Sequence, residues 1–138
     1  MNKEKLKGLS QFYTLTKDDF YVQEYRKKNG EIQKVPFMLK SGIDKIQAVE
    51  NIKIDFRPLE SLCKVGEYVT LKVEGKWKDK TYATIGEAST KNCKVSYLGC
   101  MSEKRGRARV ILTLVGFAEK GVYSIDEKWD ADELNHSK

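Results

Sequence analysis

The stretch that most constrains this chain runs from Tyr97 to Phe117, Y-L-G-C-M-S-E-K-R-G-R-A-R-V-I-L-T-L-V-G-F. Lys104, Arg105, Arg107 and Arg109 fall within six residues, and Val110, Ile111, Leu112, Leu114 and Val115 follow at once. The pattern predicts one helix, beginning near Met101 with Ser102 close to its cap and stopping at Gly116. On a helical wheel Ala108, Ile111, Leu112 and Val115 share one side. Arg105, Arg109 and Thr113 stack on the other at i, i+4, i+8 spacing. Arg107 sits at the edge of the apolar side. Lys104 lies within it, where its ammonium must snorkel or meet a partner. Cations this close to a helix N-terminus oppose the helix dipole, and Glu103 is the one acid beside them. Such a helix anchors in a core at one end and offers positive charge at the other, which suits a polyanion. Gly106 costs about 1 kcal/mol relative to Ala in mid-helix; it either permits a close backbone approach or is a tolerated flaw.

The rest of the chain supplies strands for that helix to pack on. Residues 1–10 are polar, loose or a short helix. Phe20–Val35 is a hairpin candidate around Asn29-Gly30, the strongest short turn signal, with a basic tip (Arg26, Lys27, Lys28, Lys34) and Pro36 as its end. Leu39, Ile43, Ile46 and Val49 recur at helical spacing, with Ser41 as a candidate N-cap. Ile52–Arg57 alternates strictly and ends at Pro58. Tyr68–Lys76 alternates again, and Thr81–Ala88 returns after a polar turn as the third strand of a meander. Gly86 inside it signals a bulge or a close backbone approach. Residues 89–96 read as a loop. The expected fold is α+β, an antiparallel hairpin and meander packed against helices. Residues 1–123 form one domain and residues 124–138 an acidic tail.

Composition narrows the function classes. The chain has 138 residues, enough for a hydrophobic core without disulfide or metal staples. It contains no apolar run of membrane-spanning length and no apolar N-terminal stretch of the signal-peptide kind, so an intracellular, cytoplasmic protein is expected. Its three cysteines include no C-x-x-C pair, and His136 is the only histidine; a metal site and any cofactor are therefore not expected. Asp18, Asp19, Asp44 and Asp55 fall on different elements without metal-ligand spacing. Neither a Ser-His-Asp nor a Cys-His set stands out, and no phosphate-binding G-x-x-x-x-G-K-[ST] loop is present, so enzymatic chemistry is not expected. The net charge of +6 is uneven: residues 124–138 carry −3 and the body therefore +9. A basic body favours an anionic partner.

A second basic surface arises from the strands. Lys53 and Arg57 share the outer face of one strand, and Lys72, Lys76, Lys78 and Lys80 follow in the next hairpin, with Trp77 and Tyr82 among them. Cations tracking phosphates beside aromatics that stack bases are the parts of a single-strand binding surface. The plainer alternative makes Trp77 a hairpin-tip aromatic folded over lysine stems.

The run G-E-A-S-T-K-N-C (Gly86–Cys93), then M-S-E-K-R-G-R-A-R-V-I-L-T-L-V-G-F (Met101–Phe117), then K-G-V-Y-S-I-D-E (Lys120–Glu127), resembles the Rad52-like and DdrA-like single-strand annealing proteins of phages and mobile elements. The resemblance spans about residues 12–127 and is most specific over Gly86–Glu127. It implies a β-β-β-α core, a homo-oligomeric ring or filament, single-stranded DNA bound in a basic groove on the oligomer's outer surface, and ATP-independent annealing of complementary strands in a bacterial host. It also implies phosphate contacts from Lys104, Arg105, Arg107 and Arg109 and from Lys72, Lys76 and Lys78. Gly106 stands where the family often has Ala, and Thr113 and Leu114 stand where larger members carry further cations. A protective single-strand binder that does not anneal, and a protein adaptor with a basic helix, are the alternatives. The acidic tail, with Trp129, is either solvated or a dock for a replication or recombination protein, or a competitor of DNA for the cations.

Overall fold

The structure is a computed structural model that describes residues 3–93 and 97–128. Helix α1 (Lys3–Phe12) and a 3-10 turn (Lys17–Asp19) lead into strands β1 (Phe20–Arg26) and β2 (Ile32–Met38). Helix α2 (Lys40–Glu50) follows, then the meander β3 (Lys53–Pro58), β4 (Tyr68–Trp77) and β5 (Lys80–Ser89). Helix α3 (Leu98–Leu114), strand β6 (Tyr123–Ser124) and a 3-10 turn (Ile125–Glu127) complete the order. The strands form two sheets, β1-β2-β6 and β3-β4-β5; all pairings are antiparallel except that of β6 with β2. The class is α+β.

Helix α3 organises the interior. One side packs on the meander, through Val110 against Leu71 and Val73. The other side meets α2 and β6, where Ala108, Ile111, Leu112 and Val115 join Tyr13, Met38, Ile43, Ile46, Phe117 and Val122. Each large aliphatic or aromatic side chain buried here contributes roughly 1.5–3 kcal/mol. Close packing on the meander depends on glycine. A Cβ on Gly86 would lie 2.1 Å from the Ser102 carbonyl oxygen, and one on Gly106 would lie 2.3 Å from Val73 Cγ2. Both glycines thus mark the helix–strand contact, and Gly86 is no bulge: it pairs in register with Leu71.

Several boundaries differ from the sequence expectation. Helix α3 begins at Leu98, before Met101. Ser102 is therefore inside it and buried, its hydroxyl donating to the Gly99 carbonyl at 2.8 Å. Helix α2 begins at Lys40, so Ser41 is not its cap; the Ser41 hydroxyl donates to Asp19 at 2.7 Å. Pro36 does not end the hairpin. Strand β2 continues through Phe37 and Met38; Pro36 pairs with Val22 of β1, and the pairing with β6 begins one residue later, at Phe37. Asp19 is the buried anchor of the N-terminal region. It accepts from Lys45 at 2.8 Å, from Ser41, and from the Thr16 backbone N–H at 2.9 Å. Burial alone would raise its pKa, but these donors together hold it below the usual aspartate value.

Candidate nucleic-acid interface

Strand parity decides which cations share a surface. In β4, Val73, Gly75 and Trp77 point inward, so Lys72, Glu74 and Lys76 point out. Register places Lys53 directly opposite Lys76, Asp55 opposite Glu74, and Arg57 opposite Lys72. The open face of the meander therefore carries three rows across its strands: a lysine pair, an acidic pair, and an Arg–Lys pair. The two cationic rows lie about 13 Å apart along the strands. All four cations are exposed. Among the described residues, Lys53, Lys72 and Lys76 have no carboxylate within ion-pair distance. Like charges facing each other across a sheet repel, so an anion bridging Lys53 and Lys76 would relieve that cost. Arg57 meets Asp55 at 3.2 Å, with both side chains mostly in water, a contact worth under about 1 kcal/mol.

Trp77 and Tyr82 are not part of this face. Both have inward parity and pack against the core. The Trp77 indole N–H donates to Glu50 at 2.7 Å, and the Tyr13 hydroxyl donates to the other Glu50 oxygen at 2.8 Å. The staple joins the end of α1, the end of α2 and the tip of β4–β5. Lys78 and Lys80 lie 4.7 and 5.4 Å from the Trp77 ring centroid, so the tip presents ammonium groups over an aromatic ring already in use. Burial acts to raise the Glu50 pKa, and the donors from Trp77 and Tyr13, with Lys78 nearby, bring it below the usual value.

The helix cations are placed differently from one another. Arg105 is 7% exposed. Its Nη1 donates to the Glu87 carbonyl and to Asn92 Oδ1, both at 2.9 Å, and its Nη2 to the Asn92 carbonyl at 2.8 Å. Asn92 Oδ1 also accepts from the Ser89 N–H at 2.9 Å, so Arg105 fixes the turn after β5. Arg109 donates to the Ile85 carbonyl and grips both oxygens of Glu127. Thr70 bonds toward the β3 side through both its backbone groups, so the alternation of the ladder aims the Ile85 and Glu87 carbonyls at the free edge of β5. Four residues of helix rise about 6 Å and two residues of strand about 6.7 Å. That match lets Arg105 and Arg109 cap two successive edge carbonyls. The wheel gives their direction correctly, but that direction holds a strand edge.

Arg107 pairs with Asp44, which also accepts from Lys40 at 2.7 Å. Burial works to raise the Asp44 pKa, and these two cations hold it below the usual value. Lys104 alone of the four is exposed, its ammonium 5.9 Å from the Tyr97 ring centroid. It borders a cavity of about 80 Å³ with Lys40, Arg107, Ser124 and Asp126. The partners Asp44, Asn92 and Glu127 escaped the sequence reading because nothing in their spacing marks them as facing α3. Trp129 and residues 130–138 of the tail lie outside the described residues.

Among the described residues no group of three or more His, Cys, Asp or Glu side chains is arranged to hold a metal ion, and no helix is long and apolar enough to cross a membrane. Compared with known proteins, the chain matches no family model, and no curated protein or solved structure is significantly similar to it.

Proposed function

We propose that this protein binds single-stranded nucleic acid along the open face of β3-β4-β5 and promotes annealing of complementary strands without ATP, acting as a homo-oligomer in the cytoplasm. The observation that carries the reading is the two rows of exposed cations, Lys53–Lys76 and Arg57–Lys72, three of the four lacking a carboxylate partner among the described residues. Lys78 and Lys80 gather over the inward-turned Trp77 ring at the tip, so the path on the open face is the two rows, about 13 Å apart along the strands. Backbone phosphates engaged by lysines give affinity without sequence specificity. With Trp77 and Tyr82 turned inward, the face offers little for bases to stack on. The bases of a bound strand then stay free to meet a complement, while the cations reduce the repulsion between two backbones. Of the four α3 cations Lys104 is the exposed one, but it borders Lys40 and Ser124 on the α2 side of the helix, away from this face.

Labelled oligonucleotides, single-stranded and duplex, titrated across a salt series with annealing rates on the same samples, test the reading. Salt-sensitive preference for single strands with faster annealing supports it. Binding without faster annealing reduces the protein to a protective coat. Absence of binding at low salt removes the nucleic-acid reading. The acidic row Asp55–Glu74 between the cations favours a second reading, a protein partner with alternating charges; retention of a specific protein with no nucleic-acid binding supports that one.

A further inference from the structure

The cationic row Arg57–Lys72 continues across β5 at Ile85, which pairs with Lys72, and reaches the free edge where Arg109 donates to the Ile85 carbonyl. Arg109 would be the third cation of that row, but both oxygens of Glu127 hold it. We propose that the acidic turn Ile125–Glu127 is a built-in anion that closes this end of the nucleic-acid path, and that an incoming phosphate displaces Glu127 from Arg109. The inference rests on the reading of the open sheet face as that path.

A guanidinium fork that fits a carboxylate bidentately fits a phosphate equally well. The competing carboxylate is delivered by a short, anchored strap. Strand β6 pairs with β2 through Tyr123 opposite Phe37 and Ser124 opposite Met38. The Ser124 hydroxyl then accepts the Asp126 N–H at 3.1 Å and starts the turn. Glu127 stands three residues beyond this anchor, so its effective concentration at Arg109 is high while its tether stays short enough to swing clear. Asp126 borders the cavity that Lys104 and Arg107 line, so the same turn sets a second acid over the helix cations. At rest the row ends at Lys72; with Glu127 displaced it gains Arg109.

The test compares the wild type with Glu127→Gln by fluorescence anisotropy of a labelled oligothymidylate across a sodium chloride series. Glu119→Gln serves as the charge control, because Glu119 is exposed and its ion pair among the described residues is with Lys120. The inference expects Glu127→Gln to bind several-fold more tightly at low salt, with a log–log salt slope steeper by about 0.7, the value for one added phosphate contact on a single strand. Glu119→Gln keeps the wild-type slope, and adding Arg109→Gln to Glu127→Gln abolishes the gain. Should Glu127→Gln melt early, Glu127→Asp, one methylene too short for the bidentate grip, must shift binding in the same direction. If the wild type binds and the Glu127 variants superimpose on it, or if Glu119→Gln gives the same gain, the strap is overturned and the sheet-face reading stands. If none binds at low salt, the sheet-face reading fails and the strap falls with it.

Discussion

Among the described residues Arg105 carries a charge into the protein without a carboxylate to meet it: its acceptors are two backbone carbonyls and an amide oxygen, and its buried Nε has no hydrogen-bond partner there. That placement is expensive unless every remaining donor is used, and it ties the turn after β5 to α3. Lysine offers no planar fork to span Glu87 and Asn92. Arg105→Lys is expected to cost about 3 kcal/mol in urea unfolding, with the nucleic-acid salt slope unchanged; a shallower slope at wild-type stability would assign Arg105 to phosphate instead. Asp19 is the acidic counterpart. Its pKa in the folded protein lies below the unfolded value of about 3.9, so its contribution is complete above about pH 5 and is lost as pH falls through the folded value. Because Lys45 is partly solvated, Asp19→Asn is expected to cost about 2 kcal/mol at pH 7, and the cost shrinks as the pH falls through the folded value. An equal loss at both pH values would show that the carboxylate charge is not what the site uses.

At the scale of elements, the contact between α3 and the meander rests on two glycines that face each other. Gly86→Ala sets a Cβ against helix backbone, which cannot rotate away; a loss of about 3 kcal/mol or more is expected in thermal or urea melts. Gly106→Ala gains about 1 kcal/mol of helix propensity but collides with the Val73 side chain, leaving a net loss of about 1–2 kcal/mol. A stabilised Gly106→Ala would mean that α3 rides higher on the sheet. The elements themselves were legible because their signals are local: the alternation of Ile52–Arg57 and Tyr68–Lys76, the Asn29-Gly30 turn, the apolar spacing of Leu39–Val49. Strand β6 was not legible, since two residues cannot show an alternation. The candidate site was legible by half. The parity of Lys72, Lys76 and their neighbours held the outward face, and the same parity turns Trp77 inward. The fate of Arg105, Arg107 and Arg109 depended on Asn92, Asp44 and Glu127, contacts 13, 63 and 18 residues away in sequence that no spacing rule reaches.

Over the whole molecule, charge divides into two kinds. The arginines of α3 hold elements together, and the exposed cations of β3 and β4, with the tip lysines, face solvent. A chain with net charge +6 attracts polyanions over its whole surface, so weak binding alone says little about where a strand lies. The salt slope counts the cations that phosphates neutralise, and variants on one face show whether those cations are there. The measurement to make is the salt dependence of single-strand affinity for Arg57→Gln/Lys72→Gln beside the wild type, with thermal melts to confirm equal folding. The account predicts a slope shallower by about 1.4, two phosphate contacts on a single strand, at unchanged stability. A folded double variant with the wild-type slope and affinity would place nucleic acid elsewhere and contradict the assignment of the open sheet face.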